Sequence, residues 1–257
     1  MTTVQNIFPV VGNQEVGAEI FILRFHAPAI ARSSLPGHFV NIKVDRSYYP
    51  LLRRPFSIYD VEGDDVEVVF NIVGRGTEIL ASKRPGEGLD VLGPLGRPYQ
   101  FSDVQYSTAV IVAGGLGVAP FPFLTRFLKK EEKQIITFLG AQTEKMLVPK
   151  RLANVHLATD DGSAGCQGTV VDLVERYFET TCVEGPKFFG CGPNEMLRAL
   201  SQRAENLNVP CEVSLECVMA CGLGICQGCP VELRGGSVRY SLVCKEGPVY
   251  DTSAIVI

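Results

Sequence analysis

Short runs of alternating apolar and polar residues, broken by Gly and Pro, fill the first part of the chain. They fall at Glu19–His26, His38–Val44, Phe56–Val61, Val66–Ile72 and Gly88–Leu92. With an N-terminal run they make about six strands, spaced closely enough for an antiparallel barrel. One helix-like stretch, Thr77–Lys83, interrupts them. Further on the pattern changes. Apolar runs at Ala109–Ala113, Ile135–Leu139, Val155–Ala158 and Lys187–Gly190 alternate with helical patterns at Phe121–Lys130, Val170–Phe178 and Asn194–Asn206. This alternation predicts βαβ units around a parallel sheet. The last segment carries a hairpin signal, Gly235-Gly236, between Val231–Leu233 and Val238–Val243. The predicted fold class is α+β and multi-domain. It comprises an antiparallel β-barrel over residues 1–101, an α/β parallel-sheet nucleotide domain over 102–210 and a small C-terminal module over 211–257.

Composition narrows the class. Of the 257 residues, 46% are hydrophobic and 20% charged, the balance of a globular chain and not of a disordered one. A chain this long buries a sizeable core without disulfide staples. Lys and Arg number 24 against 28 Asp and Glu, for a net charge of -4. No cationic surplus is left for a phosphate backbone, which argues against nucleic acid as a partner. The longest apolar run, Ala109 to Phe123, is broken by Gly114, Gly115, Gly117, Pro120 and Pro122 and is too short to span a bilayer. Residues 1–10 carry neither a basic n-region nor a cleavage signature. The expectation is a soluble, cytoplasmic protein with no membrane partner.

The nine cysteines are an odd count, and four of them crowd between Cys217 and Cys229. In a reducing compartment such crowding points to metal or redox chemistry and not to disulfides. Cys221, Cys226, Cys229 and Cys244 are spaced C-x4-C-x2-C-x14-C. That is the plant-type 2Fe-2S spacing: a tight loop supplies three thiolates and a distant cysteine closes the shell. Gly222, Gly224 and Gly228 let the backbone curl and aim N–H groups at the sulfurs. A structural zinc site is the alternative. Zinc sites usually use two C-x2-C pairs and only one is present, so the spacing favours iron–sulfur. Cys217, four residues before Cys221, is a competing ligand. Cys166, Cys182 and Cys211 read as plain buried thiols. His26, His38 and His156 are isolated and show no ligand spacing.

Two glycine-rich turns follow strands and open helices. The first is Gly114-Gly115-Leu116-Gly117-Val118-Ala119-Pro120; the second is Gly190-Cys191-Gly192-Pro193. Glycines allow close backbone approach to a pyrophosphate, and a helix N-terminus favours its charge. A plain strand-to-helix turn is the other reading of the first. Cys191 is either a neighbour of a nicotinamide or a small buried residue. Nearer the N-terminus, Arg54-Pro55-Phe56-Ser57 begins a strand and Asn71-Ile72-Val73-Gly74-Arg75-Gly76-Thr77 ends another. Gly76 and Thr77 suit a pyrophosphate at a helix start, with Arg54 as its cation. A barrel strand and a turn would leave the same pattern.

Taken together these residues resemble the ferredoxin–NADP reductase superfamily over nearly the whole chain. The flavin motif R-x-[YF]-S is similar to Arg54–Ser57, the barrel-closing motif to Gly93-Pro94-Leu95-Gly96, and the nicotinamide motifs to Gly114–Pro120 and Gly190–Pro193. Within it, Ser214-Leu215-Glu216, the Met219–Cys229 loop, Ala158–Ser163 with Gly168-Thr169, and Val243–Tyr250 resemble electron-transfer subunits of dihydroorotate dehydrogenase B. Cys217 and the segment Ala141–Lys145 depart from that pattern. The resemblance implies FAD in the barrel near Phe56 and Ser57, NAD as co-substrate across the two glycine-rich turns, and a 2Fe-2S cluster facing a partner. That partner is an FMN-containing catalytic subunit that oxidises dihydroorotate in pyrimidine biosynthesis, in a heterotetramer of two small and two large subunits. The same conduit serving a hydrogenase- or transhydrogenase-like complex is the alternative, and a non-catalytic module holding zinc is a third.

A hydride carries two electrons, a 2Fe-2S centre passes one at a time, and a flavin deals in both, so the flavin belongs in the middle. No catalytic acid or base is expected in this chain. NADP sites place an arginine at the ribose 2′ position and NAD sites an acid. The first charged residue after the second sheet strand is Glu144, followed by Lys145, which favours NAD.

Overall fold

The computed structural model describes residues 2–257 apart from positions 46 and 104. Six strands close a barrel: β1 (Val4–Gly17), β2 (Ile20–His26), β3 (Phe39–Lys43), β4 (Arg54–Glu62), β5 (Asp65–Asn71) and β6 (Gly88–Leu95), in the order β1-β2-β5-β4-β3-β6. Every neighbouring pair is antiparallel. Leu23, Phe25, Val40, Ile42, Ile58, Val66, Val68 and Val91 fill the interior. Most are β-branched, which suits a pleated, packed surface. A single turn, α1 (Pro28–Ala31), and α2 (Arg75–Ala81) lie between strands.

A seven-stranded sheet follows: β7 (Thr108–Gly114), β8 (Gln134–Ala141), β9 (Val155–Thr159), β10 (Cys166–Gln167), β11 (Pro186–Cys191), β12 (Cys211–Ser214) and, last, β15 (Val249–Asp251). Its order is β10-β9-β8-β7-β11-β12-β15, parallel except for the antiparallel β15. Helices α3 (Phe121–Lys130), α4 (Val170–Thr180) and α5 (Asn194–Leu207) cover its faces. Strand β7 is buried from Thr108 to Ala113, as a strand covered on both sides must be. A capping box starts α4: the Thr169 hydroxyl accepts the Asp172 N–H, and the Asp172 carboxylate accepts the Thr169 N–H. From β7 the chain runs outward to β8 and β9; from β11 it runs the other way, to β12. The crevice at the ends of β7 and β11 is therefore the topological switch point.

The sheet takes β12 and β15 from the stretch expected to form a separate module. Strands of four and three residues carry too little periodicity to be read as such. What remains is the hairpin β13 (Pro230–Glu232) and β14 (Tyr240–Leu242), in register Val231↔Ser241. Its core is not its own. Met219, Cys229, Val231, Val243 and Cys244 pack into one apolar cluster with Val110, Phe138, Phe188 and Val213 of the sheet. Among the expected buried thiols, Cys211 is buried but Cys166 and Cys182 are exposed. The first sits on the short strand β10 at the sheet edge; the second follows α4 in a loop. No helix among the described residues is long and apolar enough to cross a membrane.

Barrel and sheet domain meet at a charged seam. Asp60 and Glu67, on β4 and β5, face three arginines: Arg24 from β2, Arg126 from α3 and Arg151 from the loop before β9. Arg24 Nη2 lies 2.7 Å from Glu67, and Arg126 Nη2 lies 2.6 Å from Asp60. Arg151 bonds both acids and lies 5.7 Å from the Tyr59 ring centroid. Burial resists ionisation of Glu67, but hydrogen bonds from Arg151 and Arg24 outweigh it and hold the carboxyl below its usual range. Burial pushes Asp60 the other way. Glu67→Ala leaves Arg24 with only Glu62 and Arg151 with only Asp60, and the expected loss is about 2 kcal/mol by chemical denaturation at pH 7. A folded-state pKa below the unfolded one gives stability that is full above the unfolded value and is lost as pH falls through the folded one. The gap in stability between wild type and Glu67→Gln should therefore narrow in acid.

Candidate functional site

Three sites lie side by side. The first is a cavity of about 440 Å³ between the barrel and the segment that follows β12. Pro55, Phe56, Ser57, Asn71, Val73 and Thr77 line its barrel wall. Ile72 is not among the lining residues. Arg54 and Gly76 are not among them either: the Arg54 guanidinium donates to the Leu52 carbonyl at 2.6 Å and packs on Gly76, where a Cβ would come within 3.3 Å of Nε. The Thr77 hydroxyl is engaged locally. It accepts the Val73 N–H at 2.9 Å and donates to the Gly74 carbonyl at 3.0 Å, which shapes the turn. The opposite wall went unread in the sequence. It consists of Leu116, Ala119 and Met146 from the sheet domain, with Ser214, Leu215, Glu216, Cys217 and Met219 from beyond β12.

The second site is a groove of about 730 Å³ at the ends of β7 and β11. Gly114, Gly115, Gly117, Gly192 and Pro193 line it. The two glycine-rich turns touch. A Cβ on Gly117 would stand 2.2 Å from the Cys191 carbonyl oxygen, so only glycine permits the contact. The Cys191 side chain lies beneath, in the core with Phe121 and Leu139. Burial, then the nearby Glu216 charge, push its thiol far up. Of the two acids near the end of β8, Asp160 faces the groove and Glu144 does not. Among the described residues the lining holds three acids, Asp160, Glu195 and Glu216, and no Lys or Arg. Such a groove offers a 2′-phosphate no cation.

The third site is the cysteine loop. The Cys221 side chain neighbours Cys226, and the Cys244 side chain neighbours Cys229. Backbone N–H groups donate to these sulfurs: Leu223 at 3.3 Å and Cys226 at 3.5 Å to Cys221, Gly224 at 3.1 Å to Cys244, and Cys244 at 3.5 Å to Cys229. Burial opposes a Cys221 thiolate, but the Cys226 and Leu223 N–H groups overcome it and draw the thiol down to about 6. Burial and the adjoining Cys229 push Cys244 up to about 12. Two pairs of sulfurs are what two irons require; one zinc ion would gather four about one point. Among the described residues no three His, Cys, Asp or Glu side chains form a single-ion site. The donor set fits a 2Fe-2S cluster. Gly222, in the left-handed region, lets the loop press on the barrel, where the Asn41 amide donates to the Cys221 carbonyl at 3.4 Å.

The pairs differ in depth. Cys226 is exposed and Cys221 half-buried, whereas Cys229 and Cys244 are buried. Cys217 touches Cys229 and lines the first cavity. Burial pushes its thiol up to about 12, and through its contact with Cys229 the inner pair is the one joined to that cavity.

Residues 216–256 match the model of the iron–sulfur cluster binding domain of dihydroorotate dehydrogenase B. The dihydroorotate dehydrogenase B (NAD(+)) electron transfer subunit of Desulforamulus reducens is 36% identical over 249 residues, covering 94% of each chain. The protein of the same name from Bacillus caldolyticus is 37% identical over 229 residues, covering 86% of this chain and 87% of its own. A solved structure of an NADH-dependent reduced ferredoxin–NADP oxidoreductase, described for flavin-based electron bifurcation, superposes with a TM-score of 0.86 at 26% identity, over 98% of this chain and 90% of that one. A ferredoxin reductase of carbazole 1,9a-dioxygenase, with a TM-score of 0.67 at 19% identity over 82% of this chain and 68% of that one, shares the fold.

The contact between the glycine turns sets an expectation. Gly117→Ala forces them apart, so NADH should bind about tenfold more weakly by fluorescence titration, with visible absorption unchanged.

Proposed function

The chain belongs to the family of dihydroorotate dehydrogenase B electron transfer subunits, and from that premise we propose how its residues divide the work. It moves electrons between a dihydroorotate-oxidising partner and NAD, through a 2Fe-2S cluster and FAD. The cluster supplies single-electron transfer and the flavin the exchange between one and two electrons. Cys221 and Cys226 would hold the outer iron, Cys229 and Cys244 the inner. Pro55, Phe56, Ser57, Asn71, Val73 and Thr77 would seat the flavin, with Arg54 beside Gly76 as the cation for its pyrophosphate. Gly114, Gly115, Gly117, Gly192 and Pro193 would take the dinucleotide, with Cys191 as the floor beneath. The acids of the groove favour NAD over NADP.

The observation that carries this reading is the order of the sites. The nucleotide groove shares Leu116, Met146 and Glu216 with the flavin cavity, and the flavin cavity shares the Cys217 wall with the inner sulfur pair. The outer pair faces water amid Val218, Leu223 and Ile225, which are 86%, 45% and 77% exposed. Such apolar exposure marks an interaction surface. We assign it to the catalytic subunit, an FMN protein, in a heterotetramer of two small and two large subunits. Nine free cysteines suit the reducing cytoplasm.

Purified with its partner, the chain should be yellow-brown and carry FAD and two irons. NADH should bleach the flavin and be preferred to NADPH by about tenfold or more. Cys226→Ser should lose iron and dihydroorotate-linked activity, while NADH still bleaches the flavin. A colourless protein bearing zinc would overturn the reading.

A further inference from the structure

Electrons that arrive through a cluster bring no proton, yet NAD+ leaves as NADH only after taking two electrons and one proton together. One proton per turnover must therefore enter the flavin site by a route of its own. The walls of that site name the candidates. Among the described lining residues of the flavin cavity only Glu216 and Cys217 are ionisable. Cys217 is held as a thiol by burial and is committed to Cys229. Glu216 is the single carboxyl.

Its placement is specific. Among the described residues only Leu116, Met146 and Glu216 line both the flavin cavity and the nucleotide groove, and Glu216 alone of these carries a titratable group. It forms no hydrogen bond and no ion pair with any described residue, whereas Glu212, four residues earlier, is tied to Lys187 at 3.4 Å. Its surface is open to the groove, yet enough protein surrounds it that burial raises its pKa. The groups that face it are the Cys191 thiol on β11, the Cys217 thiol beside it, and Asp160 and Glu195 across the groove. None is a cation, so nothing here holds Glu216 ionised. An unpartnered carboxyl whose pKa burial raises, set between a cofactor cavity and water, is equipped for general acid–base work.

We infer that Glu216 is the proton carrier that completes the hydride, resting on the reading that the cavity at Ser57 holds FAD. The Glu216 O–H bond breaks as two electrons reach the flavin, and its proton joins them there. Water in the nucleotide groove then reprotonates the carboxylate. The sum is NAD+ plus two electrons plus one proton, giving NADH. In the opposite direction Glu216 accepts the proton when electrons leave one at a time toward the cluster. This departs from the expectation that the chain needs no acid or base. That expectation counted electrons and left out the proton.

The two half-reactions separate this role from one in holding the nicotinamide. Hydride transfer from NADH into the flavin brings its own proton and needs none from Glu216. Departure of electrons to a one-electron acceptor releases a proton and needs a base. In stopped-flow measurements on the holoprotein, Glu216→Gln should slow the second half-reaction at least tenfold more than the first. The solvent deuterium isotope effect on the second should persist or grow in this variant, because its proton must then leave directly to water. Glu216→Asp should restore part of the rate. Time-resolved infrared spectra taken while electrons leave or reach the wild-type flavin should contain a transient protonated-carboxyl band, absent in Glu216→Gln. A variant slowed equally in both halves, or one with raised KM for NADH and an unchanged electron-release rate, would overturn the inference. So would a wild-type spectrum without the carboxyl band. Wild-type protein without bound flavin would instead sink the functional reading beneath it.

Discussion

One stretch of backbone touches all three sites, and its anchoring governs the rest. Strand β12 is hydrogen-bonded on both sides, to β11 through Ser214↔Cys191 and to β15 through Ser214↔Val249. Directly beyond it the Leu215 N–H donates to the Pro248 carbonyl at 2.9 Å. Residues 214–217 and Met219 then form one wall of the cavity we assign to the flavin, and Cys221 opens the cysteine loop. Hydride transfer tolerates little slack between reacting atoms. A sheet strand is a stiffer mount for such a wall than a free loop would be. The C-terminal segment is thus less an appended module than an extension of the sheet, and its cysteines share the sheet's core.

The barrel must be held to that mount with equal firmness. Two different contacts do this. One is the seam of Arg24, Arg126 and Arg151 with Asp60 and Glu67. The other is the press of Gly96 on Pro248, where a Cβ would come within 2.5 Å of the proline ring. The seam lies on the sheet-domain side and the glycine contact at the C-terminal segment. Between them the flavin cavity is bounded by groups from all three parts of the chain, with little freedom for its walls to drift.

The barrel, the βαβ alternation and the cysteine spacing were legible because each repeats a local rule. Val66 and Val68 alternate with Asp65 and Glu67 along β5, Ala109–Ala113 runs apolar, and C-x4-C-x2-C needs no long-range information. The walls of the cavity were not legible. Leu116, Met146 and Glu216 lie far apart in sequence and meet only because β7, β8 and β12 are neighbours in one region of the fold. Glu216 stood in plain sight within Ser214-Leu215-Glu216, but its lack of a partner is a property of the folded chain. Glu144 is the first charged residue after β8 along the chain, but Asp160 is the one that lines the groove, because order along the chain is not direction in space. Cys166 and Cys182 were assigned to the interior on residue type alone, whereas sheet edges and helix ends leave even small apolar side chains in water.

The sheet ends on one side in β10, two residues long, and on the other in β15, three residues long. An exposed strand edge is a template on which another chain can add itself, and long flat edges invite fibres and misassembly. Brevity removes the template. A chain that must dock a foreign subunit through an apolar surface runs a risk of sticking to itself, and here the backbone gives self-association almost no purchase. Selectivity of assembly is then left to side chains, which can be matched to one companion.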